Sequence, residues 1–113
     1  MNYNNPRKNP PPFSSLKGYE QWRKEIDAWC KLTKEDEADW AKLVALGCLS
    51  PDDPSGIRDK VFALNLEGDA EVAAVLGEND VVISAAVPAN PRAGWKRFMD
   101  FMDQEFAKDN LTD

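Results

Sequence analysis

Two thiols and two groups of carboxylates are the side chains whose types and spacing invite a chemical reading. Cys30 and Cys48 are the only cysteines, and the 113-residue chain has no histidine. A serine or cysteine nucleophile would therefore lack an imidazole base, and no Ser/Lys or Cys/Asp grouping replaces it. Zinc would find neither C-x-x-C nor C-x-x-H spacing. Asp52 and Asp53 stand between Pro51 and Pro54, a pattern that initiates turns and caps helices rather than holding a cation. Glu35, Asp36, Glu37 and Asp39 crowd the start of an expected helix, where the helix dipole favours acids. No phosphate-binding glycine loop and no G-x-S-x-G elbow occurs. The expectation is a non-enzyme with no catalytic residue, no cofactor and no metal.

The thiols lie among apolar residues of expected helices. Two unpaired, buried thiols are the reading that follows, and it points to a reducing, cytoplasmic compartment. The N-terminus lacks the apolar core of a secretory signal, and no apolar run reaches the ~18 residues of a membrane span. Charge is uneven. Residues 1–17 hold Arg7, Lys8 and Lys17 and no acid, so of the net −6 the rest of the chain carries −9. An acidic body repels phosphate backbones, which argues against RNA binding by this domain.

The function must then be physical, and the aromatic residues carry it. They cluster at Tyr19 to Trp40 and Trp95 to Phe106. In "GYEQWRKEIDAWCKLTK", Tyr19, Trp22, Ile26, Trp29 and Cys30 recur at helical spacing, which predicts a first helix from Tyr19 to Leu32. Trp40, Leu43, Val44 and Cys48 predict a second helix from Glu35 to Cys48, stopped by "LSPDDPSG". Ile57, Val61, Phe62 and Leu64 predict a third, Ser55 to Leu64. Asp69 is expected to cap a short fourth segment, Ala70 to Leu76, closed by Gly77. Trp95, Phe98, Met99, Met102 and Phe106 predict a last helix from Ala93 to Lys108. The β-branched run Val81-Val82-Ile83 admits a short strand, a buried loop or a poorly ordered insertion. A lone strand cannot satisfy its own backbone, so a loop packed on the helices is favoured.

The predicted fold is thus all-α, a small bundle of four to five helices over 18–113. Residues 1–17, with Pro10-Pro11-Pro12, form an extended or disordered leader. Phe13 and Leu16 are expected to tuck into the core edge. A chain this short must bury its largest side chains, so the two aromatic stripes should pack on each other. Candidate core or groove-lining residues are Phe13, Tyr19, Trp22, Ile26, Trp29, Trp40, Trp95, Phe98, Met102 and Phe106.

"PPPFSSLKGYEQWRKEIDAWCKLTK" resembles the opening of the capsid region in Gag polyproteins of LTR retrotransposons. There an extended P-x-F segment leads through Y/F-x-x-W-K-x-x-I/V-x-x-W into the first capsid helix. Pro12, Phe13, Tyr19, Trp22, Arg23, Ile26 and Trp29 occupy the matching positions. "EADWAKLVALGCLSPDDPSGIRDKVFAL" resembles the second and third helices of that family. "GWKRFMDFMDQEFAKDN" resembles its later L-x-x-L-D-x-x-F helix through Phe98, Met102, Asp103 and Phe106. The resemblance spans about 12–66 and 94–110. Residues 67–93 are longer and more apolar than the connection expected there, and the C-C-H-C zinc knuckle of full Gag proteins is missing.

The resemblance implies an N-terminal capsid lobe, viral or domesticated, from a longer polyprotein. It implies self-association into homo-oligomers or capsid-like shells, no catalysis, no membrane partner, and RNA held only through downstream regions absent here. In domesticated relatives the equivalent lobe binds short peptides in a groove, which the leader could cover here with Phe13 as a plug. Two readings stand beside it: a helical peptide-binding adaptor of other ancestry, and an enzyme subunit or small regulatory protein. Exposed charges on the outer faces of the first three helices, Arg23, Asp27, Lys42 and Arg58, are the expected intersubunit contacts.

Overall fold

A computed structural model describes residues 9–107. Four α-helices are present: α1 (Tyr19–Leu32), α2 (Trp40–Cys48), α3 (Ile57–Phe62) and α4 (Ala93–Phe106). A 3-10 turn, Glu37–Asp39, leads into α2. Between α3 and α4 the chain forms an antiparallel pair, β1 (Val75–Leu76) with β2 (Val82–Ser84). The expectation of an all-α bundle is therefore corrected to a mixed fold of four helices and a two-stranded sheet.

α1 forms as its periodicity predicts, burying Tyr19, Trp22, Ile26 and Trp29 along one face. α4 answers it with Phe98, Met99 and Met102. Tyr19, at the start of α1, stacks on Phe106 at the end of α4, with ring centroids 5.7 Å apart. Trp29, near the end of α1, meets Trp95, near the start of α4, at 6.4 Å. The two helices are thus antiparallel, and the two aromatic stripes do pack on each other. α2 and α3 close the core with Val44, Ala45, Cys48, Ile57 and Val61. Burying apolar surface contributes roughly 25 cal/mol per Å², so this cluster is the main stabilising element.

The second and third helices are shorter than expected. Asp36 caps the 3-10 turn by accepting from the Ala38 N–H, so regular α-helix begins only at Trp40. Ser55 serves as a capping side chain before α3, its hydroxyl accepting from the Ile57 N–H.

The expected helical segment Ala70 to Leu76 is absent, and so is a loop packed on helices. The chain instead makes a long hairpin arm. Asp69 pairs with Asn90, Val72 with Val87, Val75 with Ser84, and the register slips at Leu76 and Val82. Asn79 and Asp80, both at φ 61°, turn the chain, and these are residue types that tolerate the left-handed region. Val72 and Val75 prefer extended backbone and find partners in the second leg, which a lone strand could not. From Asp69 to Arg92 every residue is exposed except Gly77, which is half-buried.

The arm's root is held tightly. The Arg97 guanidinium donates to the backbone oxygens of Asn65 (2.8 Å) and Glu67 (2.7 Å). A Cβ on Gly94 would lie 2.1 Å from the Leu66 carbonyl oxygen, and one on Gly68 would lie 2.9 Å from the Pro91 backbone. Only glycine admits this approach of chain to chain.

Candidate functional site

Several of the groups that could have done chemistry have structural roles. Cys30 and Cys48 are unpaired. Burial pushes the Cys30 thiol up to about 11, with a smaller push from the Asp27 carboxylate. Burial alone pushes Cys48 up to about 12. Both thiols are therefore poor nucleophiles near neutrality. Asp53 is the hub of the turn before α3. Its carboxylate accepts from the Ser55 hydroxyl (2.5 Å), the Ser55 N–H (3.1 Å) and the Ser15 N–H (3.0 Å). Desolvation pushes this carboxyl up, but the hydrogen bonds from Ser55 and Ser15 outweigh it and hold it at about 2. In the acid cluster, Asp36 caps the 3-10 turn and Glu37 pairs with Arg92 at 2.9 Å. Among the described residues, no group of three or more potential ligands could hold a metal ion.

The ten candidate residues belong to one core, eight of them in two aromatic clusters, with Ile26 and Met102 both fully buried. The first cluster holds the leader. The Phe13 ring sits 5.2 Å from Trp22, 6.5 Å from Tyr19 and 4.9 Å from Phe106. The Trp22 indole N–H donates to the Pro11 carbonyl at 2.9 Å. The Phe13 N–H donates to the Cys48 carbonyl at 3.0 Å, satisfying an orphan acceptor at the end of α2. A Pro-rich segment is thus clamped by an indole donor and an aromatic slot, the physics by which extended peptides are commonly gripped. Leu16, expected beside Phe13 in the core edge, is instead 78% exposed.

Tyr19 borders this slot and links it to charge. Its hydroxyl donates to Asp103 at 2.5 Å, and Arg23 Nε donates to the same carboxylate oxygen at 3.1 Å. Burial, then the Asp103 hydrogen bond, push the phenol far above its usual range. An open groove of about 600 Å³ runs beside these residues, lined also by Lys24 and Asp27. Three of its charges satisfy one another, since Arg23 pairs with both Asp27 and Asp103.

The second cluster is core. Trp29 lies 6.1 Å from Trp40, Trp40 lies 5.7 Å from Trp95, and Trp95 lies 5.6 Å from Phe98. Trp95 and Phe106 are half-buried, while Trp22, Trp29, Trp40 and Phe98 are buried. The Arg92 guanidinium covers the Trp40 ring at 4.9 Å. The Trp29 indole N–H is buried without a hydrogen-bond partner.

The surface charges expected to reach a neighbouring subunit are engaged within the chain. Arg23 pairs with Asp27 and Asp103, Lys42 with Glu67 at 3.1 Å, and Arg58 lies over Phe62 at 5.7 Å.

The hairpin arm is the surface that sequence reasoning missed. Among the described residues, eleven large apolar side chains are exposed, and seven belong to the arm. A patch of that kind marks a site of interaction more often than a solvated face. Its signal was the mirrored placement of valines about "GEND", with Val72 and Val75 before it and Val81, Val82 and Val87 after it. Among the described residues, no helix is long and apolar enough to cross a membrane. The chain matches no protein-family model, no curated protein and no solved structure.

Proposed function

We propose that this chain is a non-enzymatic assembly domain that associates with copies of itself, as the N-terminal capsid lobe of a retrotransposon Gag would. The carrying observation is the hairpin arm, where seven large apolar side chains are at least half exposed. The Gag-like pattern from Pro12 to Trp29 supports the same reading. With the helix-face charges paired internally, apolar contact supplies the free energy of association and charge only orients it. Individually weak contacts suffice for a shell, because many act together. Sedimentation velocity over micromolar to millimolar concentration tests this reading. Reversible association growing with concentration is expected, and a strict monomer throughout would refute it.

A second reading rests on the leader. The slot of Tyr19, Trp22 and Phe106 grips Pro11 and Phe13 as it would a peptide ligand. On that reading the protein is an adaptor whose own leader occupies its site. Deleting residues 1–17 and titrating a Pro-Pro-Pro-Phe peptide would show saturable binding, lost in Trp22→Phe. No binding by a folded truncated chain would exclude the adaptor.

A further inference from the structure

The leader is held by contacts that any copy of this chain could supply. Trp22 grips the Pro11 carbonyl, the Cys48 carbonyl accepts the Phe13 N–H, Phe106 packs on the Phe13 ring, and Asp53 accepts the Ser15 N–H. All four partners lie on the folded body, beyond the turn that brings the leader back to it. That turn, Ser14 to Lys17, is closed by the Lys17 N–H on the Ser14 carbonyl and the Leu16 N–H on the Ser14 hydroxyl, both at 3.2 Å. At its middle stands Leu16, the most exposed large apolar side chain among the described residues. Turns favour small and polar residues, so reversing the chain does not call for a leucine there. Gly18 follows in extended backbone and caps α1 with no side-chain hydrogen bond. Straightening the turn therefore gives up two long hydrogen bonds and the Ser15 contact until the leader is seated again.

We infer that two copies of this chain exchange leaders, so that Pro11 and Phe13 of one copy fill the slot of Tyr19, Trp22 and Phe106 in the other. The inference rests on the self-association reading and adds a contact to it. Exchange of an identical element restores in the dimer the contacts it made in the monomer, which makes it a low-cost route to association. Each slot is then complete only with residues of the second copy. A straightened hinge from Phe13 to Tyr19 reaches at most roughly 20 Å, so the two bodies meet where their α1 helices begin. The two hinges pass each other there, about the two-fold axis, and Leu16 of one copy meets Leu16 of the other out of water. In the closed monomer the short tether holds the leader at an effective concentration of about millimolar. Exchange therefore competes at that concentration, and at lower ones once the Leu16 contact is added.

The test uses the whole chain. Wild type, Phe13→Ser, Leu16→Lys, Lys17→Pro and Ile83→Lys are compared by sedimentation up to millimolar concentration, with circular dichroism confirming unchanged folding of the helices. Leu16→Lys is expected to raise the dissociation constant of the dimer at least about tenfold, and Phe13→Ser to abolish the dimer. Lys17→Pro removes the N–H that closes the turn and biases Leu16 toward extended backbone, so it is expected to lower the constant by about tenfold. A mixture of isotope-labelled and unlabelled wild type should show magnetic contact between Phe13 of one copy and Trp22 of the other. Association that survives Phe13→Ser and Leu16→Lys, with Phe13 touching Trp22 only within one copy, overturns the exchange and leaves self-association standing. A loss seen only with Ile83→Lys moves the contact to the arm and likewise overturns the exchange. Wild type that stays monomeric to millimolar concentration overturns both.

Discussion

Gly94→Ala separates local propensity from tertiary constraint. Gly94 is the second residue of α4 and is buried. On propensity alone, alanine in place of glycine within a helix gains about 1 kcal/mol. The structure predicts the opposite sign. The new methyl would fall 2.1 Å from the Leu66 oxygen, 2.4 Å from the Leu66 carbonyl carbon and 2.8 Å from the Glu67 oxygen. These are backbone atoms, so no rotamer change relieves the clash. Leu66 is itself buried in the core, and the Asn65 and Glu67 carbonyls are held by Arg97. The segment or the helix must shift by roughly 1 Å, and overpacking of this kind costs about 1–3 kcal/mol. Taking the upper figure against the propensity gain leaves a net loss of about 2 kcal/mol. For a domain near 100 residues that lowers Tm by roughly 8–16 °C. Thermal melts followed by circular dichroism measure this directly. A Gly94→Ala protein as stable as wild type, or more so, would refute the close approach at the arm's root.

Trp29→Ala should leave a largely unfolded protein at 37 °C, because truncating a core Trp costs about 3–5 kcal/mol of a total near 5–15; a melt within a few degrees of wild type would contradict it. Trp40→Phe should cost roughly 1–2 kcal/mol more than Trp29→Phe in urea titrations, since Trp40 loses its bond to the Glu35 carbonyl while Trp29 sheds an unpartnered donor. Asp53→Asn should destabilise by about 1 kcal/mol at pH 7 once solvent screening is allowed for. The folded carboxyl sits near 2 against an ordinary 3.8, so this stabilisation is complete above pH 4 and lost as pH falls toward 2; a stability difference independent of pH across that window would count against the Ser15 and Ser55 bonds. Cys30, raised to about 11 from 9.0, should label roughly 100-fold more slowly at pH 8 than in denaturant, and Cys48 more slowly still; rapid labelling of native protein would show these thiols to be accessible.

What the sequence determined by itself was whatever depends on local spacing. The 3.6-residue recurrence of Tyr19, Trp22, Ile26 and Trp29 specified α1 to the residue, and Trp95, Phe98 and Met102 specified α4, because an amphipathic stripe has one way to face a core. The same stripes implied their meeting, since so short a chain must bury most of its largest side chains in one core. The aromatic slot was half legible: Phe13 could be singled out as the exit of a Pro-rich leader, but its partner Phe106 lies 93 positions away and only folding brings them together. Residues 70–90 were illegible for a related reason. Alanines and valines of intermediate propensity suit helix or strand, and the choice fell to pairing between Val72 and Val87, a contact with no local trace. Surface charges misled in the same way, because Arg23 and Asp103 are remote in sequence and adjacent in space. Periodicity encodes which face of a helix is apolar. Which faces and strands then meet, and which are left without a partner, is set by non-local packing, and tertiary structure alone decided it.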